Sequence, residues 1–100
     1  MKLTDEFDSI RNWATKRGLY EKGDTKTQFC KLGEEVGELG RAIIKNNKIE
    51  FVDAVGDVVV VLTNLAALGG YKIEDCINEA FKVIENRTGI MNNGSFVKDN

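Results

Sequence analysis

The sequence predicts an all-α fold, four-helix bundle-like, ending in a short C-terminal tail or hairpin. Three observations carry that expectation. The chain of 100 residues has no proline, so nothing forbids long helices. Four segments repeat apolar residues at the spacing of one helix face. The joints between them are short, as antiparallel neighbours require. A chain of this length is expected to be one domain, residues 1–100. Its core is adequate but small, and oligomerisation is a common remedy.

The first helix is expected from about Thr4 to Arg17, with Phe7, Ile10, Trp13 and Ala14 on one face. Thr4 or Asp5 can cap it, and Gly18 can close it. GLYEKGD follows as a loop. The second helix starts at a cap near Asp24 or Thr25 and reaches about Asn46, with a stripe of Phe29, Leu32, Val36, Leu39 and Ile43. After the turn NNK, the third runs from about Ile49 to Leu68, where Gly69-Gly70 ends it. Val58 to Val61 is β-branched and suits a buried strand. Yet apolar character continues from Val52 to Leu68, too long for a typical strand, so a buried helix is expected. The fourth helix runs from about Ile73 to Arg87, with Ile73, Cys76, Ile77, Ala80, Phe81 and Ile84 on one face. In the tail, Asn93-Gly94 suits a hairpin turn.

Composition narrows the function. The net charge is −2 and Lys and Arg are scattered, so no basic stripe for nucleic acid is present. MKLTDEFDSI lacks the apolar run of a signal peptide. The longest apolar run, Val58 to Leu62, is too short to span a membrane. Cys30 and Cys76 are too few for a disulfide framework and are expected to be reduced core residues. Together these point to the cytoplasm. The absence of histidine removes His-type zinc sites, Glu-x-x-His di-iron sites, and Ser-His or Cys-His nucleophiles.

What remains is carboxylate chemistry. In KLGEEVGELG, Glu34, Glu35 and Glu38 fall within roughly a 100° arc, with Lys31 one turn earlier. On the third helix, Glu50, Asp53, Asp57 and Asn64 fall within roughly a 60° arc of an otherwise apolar helix. Like charges on one turn repel. A Glu-rich face alone reads as solvated surface. Asp57, inside DAVGDVVVVL, does not, because a buried unpaired carboxylate costs several kcal/mol. A hard divalent cation such as Mg²⁺ takes oxygen ligands. Glu35 and Glu38 facing Asp53 and Asp57 would hold one between two antiparallel helices. Gly33, Gly37, Gly40 and Gly56 each cost about 1 kcal/mol against alanine, so a close helix approach is expected there.

GEEVGELG and VGDVVVVL, with QFCKLGEEVGEL and ENRTGIMNNGSFVKD, resemble the MazG-like, all-α nucleoside triphosphate pyrophosphohydrolases, small phage and bacterial types included. The resemblance runs from about Trp13 to Lys98. Glu35 and Glu38 match the family's Glu-x-x-Glu, with Glu34 as the extra leading glutamate, and Asp57 matches the aspartate of its Glu-x-x-Asp. The glutamate of that second element is replaced by Ala54, and Asp53, a full turn from Asp57, can reach the same face.

The resemblance implies that a nucleoside or deoxynucleoside triphosphate and water give the monophosphate and pyrophosphate with Mg²⁺. Such chemistry needs positioning and charge neutralisation more than a covalent nucleophile. Glu34 or Glu35 could take the water's proton. Lys31, Arg87 and Lys98 are candidates for phosphate contact, or solvated surface. Trp13 is a candidate for stacking on the base, or a core residue. Asn64 is a candidate for bonding a carboxylate or the nucleotide, or for closing a buried network. A homodimer or homotetramer is implied as well. The alternatives are a module that binds metal and nucleotide without turnover and a helical module that only dimerises. A ferritin-like di-iron protein is disfavoured by the missing histidines.

Overall fold

The computed structural model describes residues 3–99, with side chains from Asp5 to Asp99. It is all-α apart from a terminal hairpin. Helix α1 covers Leu3–Lys16, the short α2 Leu19–Lys22, α3 Thr25–Ile44, α4 Lys48–Leu68 and α5 Ile73–Ile84. Strands β1, Gly89–Asn92, and β2, Ser95–Lys98, pair antiparallel.

The central unit is the α3–α4 hairpin, joined by Lys45, Asn46 and Asn47. Its ends are set by side chains. Asp24 caps α3 by accepting from the Thr27 backbone N–H at 2.7 Å and the Thr27 hydroxyl at 3.0 Å, which holds its carboxyl below the usual range. Asn47 caps α4 by accepting from the Glu50 N–H at 3.0 Å. Asn46 takes the left-handed conformation, φ 55°, that turns the chain between them. Gly69 and Gly70 end α4, where the Tyr71 N–H donates to the Ala66 carbonyl at 2.9 Å. The Asn93-Gly94 turn has positive φ at both residues and closes β1 on β2 in register, Ile90 opposite Val97.

Helices α1, α2 and α5 pack against α4. Phe7, Ala14, Ala42, Ala54 and Val61 are buried. Thr63 is fully buried and donates its hydroxyl to the Val59 carbonyl at 2.7 Å. From α2, Tyr20 donates its hydroxyl to Oδ1 of buried Asn64 at 2.6 Å, and burial pushes the phenol pKa up. Arg11 of α1 donates to both oxygens of Glu74 of α5 at 2.6 Å, and to Asp8 at 2.7 Å.

Several expectations are corrected. GLYEKGD is not all loop, because residues 19–22 form α2. Asp5 lies inside the first turn of α1 rather than capping it, since the helix begins at Leu3; the Thr4 side chain lies outside the described residues. Helix α5 ends at Ile84, short of Arg87. Cys30 and Cys76 are free but exposed, because their helix faces meet no second layer among the described residues. The expected stripe of α3 divides in two. Leu32 and Leu39 lie on the packed side with Glu35 and Ala42, while Phe29, Val36 and Ile43 are 66%, 50% and 59% exposed. Ile77, Phe81 and Ile84 of α5 are about half exposed too. A Cβ added at Gly33, Gly37, Gly40 or Gly56 would meet nothing within 4 Å, so these glycines serve no close approach within the chain. Finally, helix α4 as a whole is long and apolar enough to cross a membrane, although the run Val58 to Leu62 is not. Asp53 and Asp57 within it would be costly in lipid.

Candidate metal centre

Glu35 and Glu38 lie three residues apart on α3, so both project from one face. Asp57 projects from α4 across the hairpin. One oxygen from each of the three carboxylates lies within 4.8 Å of the others. Glu35 is buried, Asp57 half-buried and Glu38 exposed, so the group opens from the core toward solvent.

Glu35 is the one buried charged residue among the described residues, 7% exposed. Its Oε1 lies 3.2 Å from the Lys31 ammonium. Its Oε2 has no hydrogen-bond partner among the described residues. A buried anionic oxygen without a partner carries its full desolvation cost. The Asp57 pKa is raised first by burial, then by the charges of Asp53 and Glu35. Lys31 responds oppositely, its pKa raised chiefly by the hydrogen bond to Glu35.

This donor set fits a hard cation. Three carboxylates and no nitrogen or sulfur suit Mg²⁺, Mn²⁺ or Ca²⁺ alike. The orphaned Oε2 of Glu35 is the atom such an ion would satisfy.

The other sequence-level candidates divide. Asp53 is outside the converging three but lines the same groove, a space of 230 Å³ that Glu38, Asp57, Glu50 and Ala54 also line. Glu34 is largely exposed, 3.6 Å from Lys31. Trp13 is half exposed, with the Arg17 guanidinium 4.2 Å from its ring centroid. It lines a second cleft that shares Asp57 with the first. Asn64 is committed to Tyr20 and lines neither space. Arg87 and Lys98 come together at the base of the hairpin, in a cleft that shares no residue with the carboxylates.

Two residues went unassigned in the sequence reading. Arg41 and Lys45 line the carboxylate groove. Their spacing from Glu38, three and seven residues on, puts them on its face of α3 and was the available signal.

The profile of the MazG nucleotide pyrophosphohydrolase domain matches residues 24–89, which hold α3, α4, α5 and all three converging carboxylates. The chain belongs to the MazG family. It is also 41% identical over 64 residues to an uncharacterized 18.2 kDa protein of Haemophilus phage HP1, encoded between rep and hol. That match covers 64% of this chain and 39% of the phage protein. No solved structure matches.

Proposed function

We propose that the protein hydrolyses nucleoside or deoxynucleoside triphosphates to the monophosphate and pyrophosphate, with Mg²⁺ held by Glu35, Glu38 and Asp57. The carrying observation is the convergence of these carboxylates, one of which, Glu35, has a buried oxygen without a partner, inside the segment that matches the MazG domain. When bound, Mg²⁺ supplies charge neutralisation and polarises phosphate oxygens. Lys31, Arg41 and Lys45 offset the remaining triphosphate charge from one helix. Asp53 supports the ligands from one turn back on α4. Glu34, the glutamate not engaged with the metal, accepts the proton of the water that attacks the α-phosphorus, and the α–β anhydride bond breaks. Arg87 and Lys98 reach the nucleotide only from a surface that lies apart from the groove within one chain.

That separation and the bare apolar faces of α3 and α5 support self-association, as a homodimer or homotetramer. We place the protein in the cytoplasm, acting on free nucleotides rather than nucleic acid or membrane.

The test is product analysis by chromatography across a triphosphate panel, with and without Mg²⁺. Magnesium-dependent pyrophosphate, lost in Glu38→Gln, supports the reading. Orthophosphate and diphosphate instead would overturn the reaction and leave the metal. Binding without product would favour a module that has lost turnover, a reading that Ala54 at the family's glutamate position keeps open.

A further inference from the structure

We infer that the cleft between α1 and α4 is the base subsite and that it selects guanine through Glu6 and Ser9. The inference rests on the proposed triphosphate reaction. The cleft has a volume of 450 Å³ and is lined by Glu6, Ser9, Ile10, Trp13, Asp57 and Val60. Asp57 also lines the carboxylate groove, so the two spaces meet at a metal-ligand candidate. A triphosphate lying along α3 therefore directs its nucleoside end toward α1. Ile10, Val60 and the indole of Trp13 give that end an apolar, π-bearing wall. Arg17 occupies one face of the indole, which leaves the other for a base.

Trp13 brings an indole N–H donor to the wall, while the two polar side chains that α1 adds at Glu6 and Ser9 are of one kind. The Ser9 hydroxyl donates to the Asp5 carbonyl at 2.9 Å, so toward the cleft its oxygen can only accept. The Glu6 carboxylate only accepts as well. Glu6 and Ser9, three residues apart on one helix face, present neighbouring acceptors that want a base with adjacent donors. Guanine presents N1–H and N2–H side by side and pairs both with one carboxylate. Adenine and cytosine each set their amino donor beside a ring-nitrogen acceptor. Uracil and thymine flank a single N–H with two carbonyls, which a carboxylate repels.

Trp13 is the sole tryptophan, so its fluorescence reports occupancy without turnover. The α,β-methylene analogues of GTP, ATP, CTP and UTP are titrated in Mg²⁺ against wild type and Glu6→Gln. The guanine analogue should quench at a concentration at least about tenfold below the uracil analogue. Glu6→Gln should shrink that gap to about threefold or less, by weakening the guanine analogue and tightening the uracil analogue. Equal affinities, or a preference that survives Glu6→Gln, overturn the assignment. Turnover of triphosphates with no fluorescence response overturns the base subsite alone and leaves the carboxylate site standing. Neither turnover nor quenching with any nucleotide overturns both.

Discussion

The Lys31 ammonium lies 3.2 Å from Oε1 of Glu35, while Oε2 of the same carboxylate is buried without a partner among the described residues. Lys N-terminal to Glu at this spacing is the weaker orientation of a helical ion pair. The Lys31 side chain is also half exposed. The pair therefore adds little to folding, and the proposed reaction gives Lys31 a phosphate to neutralise. Lys31→Ala should leave stability in urea nearly unchanged. It should raise KM for the triphosphate severalfold. A large loss of stability with unchanged KM would make the pair purely structural.

Asp57 links acidity to metal. Its folded pKa lies above the ordinary value, so the folded state holds this proton more tightly than the unfolded state does. At this residue, apoprotein stability rises as pH falls through the raised pKa and is penalised above it. Asp57→Asn should therefore leave the metal-free protein as stable or more stable at neutral pH. It should also abolish thermal stabilisation by Mg²⁺, which amounts to about 2.7 kcal/mol at a hundred times Kd in the wild type. In the wild type, Mg²⁺ should stabilise less as pH drops into the range where Asp57 takes up its proton. Melting curves across pH, with and without Mg²⁺, check all three.

Glu74 behaves oppositely. The two hydrogen bonds from Arg11 hold its carboxyl at about 2, below its ordinary 4.5. This contribution is fully present above about pH 4.5 and is lost as pH falls toward 2. Glu74→Gln should destabilise at pH 7 by about 1–2 kcal/mol, because its side chain is only a quarter exposed and α1 loses its tie to α5. The deficit should shrink on acidification, by chemical denaturation at several pH values.

Gly33 sits inside α3 with nothing within 4 Å of an added Cβ. Gly33→Ala should therefore raise the stability of an isolated chain by about 1 kcal/mol. If the variant instead loses stability and its sedimentation shifts to smaller species, this face of α3 lies against a second copy.

Much of the architecture was legible because it rests on local rules. Asp24 and Asn93-Gly94 act through their own neighbours, and the structure uses them as the pattern suggests. The Glu-x-x-Glu spacing fixes a helix face wherever that helix packs, so the meeting of Glu35 and Glu38 with Asp57 was visible early. What failed depended on a partner surface. Phe29, Val36 and Cys30 have helical spacing, but spacing does not say which of two apolar stripes meets α4. The glycines looked like contact points only on the assumption of such a surface. Asn64 was legible as a polar position on an apolar helix, but not its tie to Tyr20, 44 residues away on a helix hidden in an apparent loop. Arg41 and Lys45 were missed because cations beside a glutamate run read as charge balance.

The central claim is that the buried Glu35 oxygen is a metal ligand. Isothermal titration of Mg²⁺ into wild type and Glu35→Gln tests it most directly. The account predicts saturable binding to the wild type, weakened at least about tenfold when the carboxylate becomes an amide. Equal binding to both proteins, or none to the wild type, would contradict it.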